Sequence, residues 1–115
     1  MDESSIDRAV YAELQDTTGA EFVVELVNTF IEEAPGMFAE LRAARAEGNT
    51  ERFRRAAHSL KSNGRTFGAV KLMALAREFE LKGLDADPTR DVAGLATLEA
   101  EYARAAAELK TLRND

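Results

Sequence analysis

Apolar residues recur three and four positions apart along nearly the whole chain, and helices are the simplest way to bury such a pattern. Val23, Leu26, Val27, Phe30 and Ile31 keep this spacing, as do Leu95, Leu98, Tyr102, Ala105, Leu109 and Leu112. No stretch alternates with period two between turn signals, so no sheet is expected. Alanine, leucine, glutamate and arginine, all good helix formers, are abundant, and the 2 prolines are Pro35 and Pro88. The expectation is all-α: an up-and-down four-helix bundle with a short extra N-terminal helix, as a single domain over residues 1–115.

The punctuation places the elements. A short helix is expected from about Ser5 to Gln15, capped by Ser4 or Ser5, with Ile6, Val10 and Leu14 on one stripe. After the break at Asp16-Thr17-Thr18-Gly19, a segment containing Phe22, Val23, Leu26, Val27, Phe30 and Ile31 meets Pro35-Gly36. It resumes at Met37, Phe38, Leu41 and Ala44, so it is one kinked helix or two consecutive ones. Thr50 is a good N-cap for a third long element ending near Gly68. A fourth runs from about Ala69 to Lys82, with Gly83 as terminator. Asp87 before Pro88 reads as an N-cap followed by proline in the first turn of a last helix reaching about Leu112.

Several functions are excluded or disfavoured. The absence of cysteine removes disulfides, thiolate catalysis and cysteine-ligated zinc, and fits a reducing compartment. A formal net charge of −6 disfavours nucleic acid, whose phosphates need a basic footprint. Met1-Asp2-Glu3-Ser4-Ser5 lacks the basic and apolar regions of a signal peptide, and no apolar run is long enough to span a bilayer. A cytoplasmic protein is expected, and a monomer, because one bundle can bury these stripes internally.

The single histidine, His58, lies in the third long helix. At about 100° per residue, Phe53, Ala56, Leu60, Gly64 and Phe67 form the buried stripe. Arg54, His58, Lys61 and Arg65 fall on a narrow arc away from it, a basic row in an acidic protein. Neutral imidazole is a competent nucleophile near neutral pH, and the ammonium of Lys61, one turn on, could reach a phosphate held on it. Ser59 and Ser62 are small and would leave the ring open to a partner. Gly64 would let a neighbouring helix approach, and Gly68 would cap the helix. Against this stands the ordinary fate of a lone histidine and a basic stripe, which is to be a solvated face.

Ala57-His58-Ser59-Leu60-Lys61-Ser62-Asn63-Gly64-Arg65-Thr66-Phe67-Gly68-Ala69 resembles the signature of histidine phosphotransfer domains. That signature has a histidine, leucine two on, lysine three on, a small residue four on, and an apolar-glycine pair nine and ten on. Ser62 stands where glycine is frequent. Phe30-Ile31-Glu32-Glu33-Ala34-Pro35 and Glu51-Arg52-Phe53-Arg54-Arg55-Ala56-Ala57 resemble the segments that precede it.

The resemblance implies a phosphorelay intermediate, with His58 accepting a phosphoryl group from a receiver phospho-aspartate and returning it to a response regulator. Lys61 would help position the group, and Arg54, Ser59, Ser62 and Arg65 would face the partner. Gly64 and Gly68 would shape the site. The partners would be response regulator receiver domains or a hybrid sensor histidine kinase, with no nucleic acid and no membrane. The receiver would bring Mg2+, so this chain needs no metal or cofactor of its own. The imidazole would be held by a polar residue of the next helix, Arg77, Glu78 or Glu80. Val10 and Leu14 are candidates either for an apolar docking patch or for the core.

Three other readings compete. A helical interaction module with an unphosphorylated histidine has the same pattern. The phosphoacceptor helix pair of a histidine kinase would show an acid directly after the histidine and a proline soon after; Ser59 follows His58, and no proline lies between Pro35 and Pro88. With no glycine-rich nucleotide-binding motif either, ATP-dependent kinase activity is not expected. A di-metal bundle needs two Glu-x-x-His pairs, and one histidine cannot supply them.

Overall fold

A computed structural model describes residues 4–114 and contains five helices and no strand among them. Residues 1–3, part of the start expected not to be a leader, and Asp115 lie outside the described residues. α1 spans Arg8–Thr18, α2 Ala20–Glu47, α3 Thr50–Phe67, α4 Val70–Lys82 and α5 Pro88–Arg113. The links from α2 to α3 (Gly48, Asn49) and from α3 to α4 (Gly68, Ala69) are too short for anything but antiparallel neighbours. Contacts run around the ring α2, α3, α4, α5 and back to α2, while α1 packs on α2 and α3. α2, with 28 residues at about 1.5 Å each, accounts for the 43 Å long axis.

The core lies along the bundle axis. Val23, Val27, Phe30, Phe38 and Leu41 of α2 meet Phe53, Leu60 and Phe67 of α3, Leu72 and Ala76 of α4, and Leu95, Leu98 and Leu109 of α5. Phe30 stacks on Phe67 with ring centroids 5.4 Å apart, and Phe53 meets Phe79 edge-on at the same separation. Two acids share the buried face of α5. Asp91 accepts from the Asp85 amide at 3.0 Å and pairs with Arg45 at 3.1 Å, tying the α4–α5 loop to the end of α2. Glu101 pairs with Arg104, one turn along its own helix, at 3.0 Å. Asp91 lies four before Leu95 and Glu101 three after Leu98, so both keep the helical spacing of the seam, but neither is apolar and the pattern did not reveal them.

Several boundaries differ from expectation. Neither Ser4 nor Ser5 caps α1; the Asp7 carboxylate does, accepting from the Ala9 and Val10 amides. Ser4 and Ser5 instead bind Glu108 of α5, which also takes Arg8 at 3.3 Å. α1 continues past Gln15 to Thr18 because Gly19 ends it. Asn49, not Thr50, caps α3, accepting from the Arg52 amide at 3.1 Å. Ala69, expected as the first residue of α4, is buried as its N-cap residue. Phe22, placed on the apolar stripe, is 50% exposed. Tyr11 is the buried residue of α1 and Ile6 is buried just before it, whereas Val10 and Leu14 are half-buried, Leu14 against the core.

At Pro35 the single-helix alternative holds, since α2 passes through it without interruption. Proline has no amide hydrogen, so the carbonyl one turn earlier, Ile31 O, loses its helical donor. The Tyr102 hydroxyl of α5 approaches that oxygen at 3.5 Å. Its ring lies against Phe30 and Phe38.

Candidate functional site

α3 orders the site because its two faces differ so sharply. Phe53, Ala56, Leu60, Gly64 and Phe67 are buried, and His58, between them in sequence, points outward with a side chain 55% exposed. Of the basic row, Arg54 and Arg65 are exposed as expected. Lys61 is not: its side chain is 15% exposed, because its ammonium is drawn to α4.

What draws it is Glu80. One carboxylate oxygen, Oε2, lies 2.6 Å from His58 Nδ1, and the other, Oε1, lies 2.6 Å from Lys61 Nζ. Of the three candidates on α4, Glu80 is therefore the one that reaches the imidazole; Arg77 and Glu78 line the groove beyond it. The hydrogen bond from Lys61 chiefly holds the Glu80 carboxyl below the ordinary glutamate range, helped by that from His58 and opposed by partial burial. An ionised carboxylate can only accept, so the bond to Nδ1 places the ring proton there. In the neutral ring Nε2 then carries the free lone pair. Sequence reasoning could not choose Glu80, because the choice depends on how α4 is rotated against α3. A carboxylate within reach of both a histidine and a lysine one turn apart was the available signal.

The other candidate residues spread around this centre. The Arg54 guanidinium lies against Gly83 at the end of α4, so closely that a Cβ there would sit 2.8 Å from its Nε. Ser59 turns towards α2 and lines a shallow depression with Glu40, Arg52 and Arg55. There Arg52 binds Glu40 at 2.7 Å and Glu47 at 2.5 Å. Ser62 is exposed. Arg65 borders the groove between α3 and α4 with Lys61, Met73, Arg77 and Leu81, the last 62% exposed. Among the described residues, no three His, Cys, Asp or Glu side chains cluster so as to hold a metal ion, and no helix is long and apolar enough to cross a membrane.

The two glycines of the motif differ. Gly64 is buried against the start of α4, yet a Cβ there would lie 3.5 Å from Ala69 O and Met73 N, an ordinary contact. The close approach expected at Gly64 thus leaves room for a methyl group. Gly68 has φ 77° as the left-handed cap of α3, and its carbonyl accepts from the Asp7 amide at 2.7 Å. A Cβ there would fall 2.8 Å from Val10 Cβ and 2.9 Å from Asp7 O. Gly68 therefore both ends α3 and seats α1.

An exposed imidazole, held at Nδ1 by a carboxylate that also binds an ammonium, on a helical bundle, suits transfer of a phosphoryl group between partners. The comparisons with known proteins agree. The sequence pattern of the Hpt domain matches residues 25–110, which include every residue of the site. A search of curated proteins finds no match. Among solved structures, the histidine-containing phosphotransfer protein B (HptB) of Pseudomonas aeruginosa PAO1 is similar, with a TM-score of 0.82 and 27% identity over 98% of this chain and 97% of that one. This chain belongs to the Hpt domain family and is a histidine phosphotransfer protein of a phosphorelay.

Proposed function

We propose that His58 Nε2 is the atom that carries the phosphoryl group. The observation that supports this most is the contact between His58 Nδ1 and Glu80, which leaves Nε2 free on an exposed ring. On this reading His58 takes the group from the phospho-aspartate of a receiver domain, or of a hybrid kinase, and passes it to the aspartate of a response regulator. The Nε2 lone pair forms the P–N bond as the P–O bond to aspartate breaks, and aspartate departs as a carboxylate. Transfer runs through a loose transition state, so positioning and charge dominate. The receiver contributes Mg2+ and its acidic pocket. Lys61 helps position the phosphoryl group from one turn away.

Arg54 and Arg65 flank His58 and steer the acidic mouth of the receiver onto the ring. Ser59 and Ser62 leave space for it, and the groove bearing Leu81 adds apolar contact beside the site. The bundle works as a monomer in the cytoplasm. Incubation with a phosphorylated receiver and Mg2+ tests this reading. Wild type is expected to gain acid-labile, base-stable phosphate and His58→Gln to gain none. Equal labelling of the two proteins would overturn it.

A further inference from the structure

Glu80 touches two groups whose behaviour sets how long a phosphoryl group stays on His58. Oε2 faces the ring nitrogen opposite the reacting one, and Oε1 holds the one ammonium within a turn of it. Both contacts are short, and Glu80 is half-buried. Once Nε2 is bonded to phosphorus, a proton retained on Nδ1 makes the ring an imidazolium. A carboxylate at 2.6 Å favours that charged form. Cleavage of the P–N bond then releases neutral imidazole, a good leaving group. Without the proton the departing group is an imidazolate, a poor one.

The second contact acts in the same direction. An ammonium on the phosphoryl oxygens would stabilise phosphohistidine against the aspartyl phosphate of a partner. Glu80 competes for that ammonium. Resting on the reading of His58 as phosphoacceptor, we infer that Glu80 makes this protein a shuttle and not a store: it keeps the Nδ1 proton on phosphorylated His58 and shares the Lys61 ammonium with the phosphoryl group, weakening its hold there, which shortens the lifetime of phosphohistidine. In each direction the Nε2 lone pair forms or recovers from the P–N bond, the carboxylate oxygen of aspartate does the reverse, and the Nδ1 proton stays in place. Glu80 is a positioning residue, since it acts through His58 and Lys61.

The other charges near the ring are placed differently. On α3, Arg54 lies over Gly83 and Arg65 two turns on borders the groove. On α4, Arg77 stands one turn before Glu80. From α2, Glu40 and Glu47 are bound by Arg52, and within α3 Glu51 is paired with Arg55. None of these has a contact with the ring comparable to that of Glu80.

The test uses the full chain and phosphoramidate, which gives its phosphoryl group to an imidazole nitrogen and loses ammonia. After the donor is removed, decay of acid-labile phosphate is followed from acid to mildly alkaline pH in wild type, Glu80→Gln, Lys61→Ala and the double variant. Glutamine can still offer Nδ1 an oxygen but brings no charge. At about pH 8, phospho-His58 is expected to last about tenfold longer in Glu80→Gln, because the charge that favours the imidazolium is gone. The pH midpoint of decay should move down. In the Lys61→Ala background the gain from Glu80→Gln should shrink without vanishing. A 15N titration of Nδ1 in phosphorylated wild type needs no variant, and its midpoint should lie above that of free phosphohistidine. Equal lifetimes and midpoints in wild type and Glu80→Gln, or a wild-type Nδ1 midpoint at or below the free value, would overturn this inference alone. Failure of wild type to take label on His58 would remove the phosphoacceptor reading and the inference together.

Discussion

Alanine at Gly68 and alanine at Gly64 should act in opposite directions, although the two glycines are four residues apart in one motif. At Gly68 the backbone is left-handed, with φ 77°, which costs an L side chain about 1 kcal/mol. The new Cβ would also meet Val10 Cβ at 2.8 Å and Asp7 O at 2.9 Å. Asp7 O is backbone at the start of α1 and cannot swing aside, so α1 must lift and strain the 2.7 Å bond from the Asp7 amide to Gly68 O. Overpacking of this kind costs about 1–3 kcal/mol. The total, about 2–4 kcal/mol, should lower Tm by about 8 °C or more for a domain of this size. At Gly64 the helix is regular and the nearest atoms would lie at 3.5 Å. There alanine should be neutral or stabilise by up to about 1 kcal/mol through helix propensity. Urea and thermal unfolding followed by circular dichroism, with amide exchange at Tyr11 as a local probe of α1, would measure both. Equal destabilisation by the two variants, or a silent Gly68→Ala, would refute the assignment of Gly68 as the seat of α1.

Two further predictions concern the same bundle. Pro35→Ala should stabilise α2 by about 1–3 kcal/mol, because it restores a donor for Ile31 O and removes the proline penalty. Tyr102→Phe should then cost less in that background than in wild type, where the Tyr102 hydroxyl serves that oxygen; additive unfolding free energies would contradict the link. Burial opposes the charge of Glu108, but hydrogen bonds from Ser4, Ser5, Arg8 and Ile6 outweigh it and hold its pKa below 4.5. A carboxylate with a depressed folded pKa contributes stability that is present above its unfolded value and lost as pH falls through the folded one. Stability should therefore decline below about pH 4.5, and Glu108→Gln should flatten part of that decline; identical pH profiles would contradict this.

The long helices and the buried stripe of α3 were legible because their apolar spacing is strong and their ends carry glycine, aspartate or asparagine. Caps were harder to place, since Ser4, Ser5 and Asp7 are all competent and only the position of Glu108 on α5 decides between them. Phe22 was misplaced for a related reason: it keeps the helical period of α2 at a point where no other helix covers that face. The site was half legible. A helical wheel places His58 outward and groups it with Lys61, but it cannot tell that Lys61 is held by α4. Glu80 was visible only as one of three polar residues, because its role depends on the rotation of α4 about its own axis. Asp91 and Glu101 escaped notice because charge on a buried helix face breaks the pattern by which such a face is recognised.

The role proposed for His58 depends above all on which atom carries the phosphoryl group. Phosphorylated protein, labelled by a receiver domain with Mg2+ or by phosphoramidate, can be read by 15N and 31P NMR. Phosphorus is expected on Nε2 of His58, with the proton still on Nδ1 facing Glu80. Phosphorus on Nδ1, or on any residue other than His58, would contradict that role.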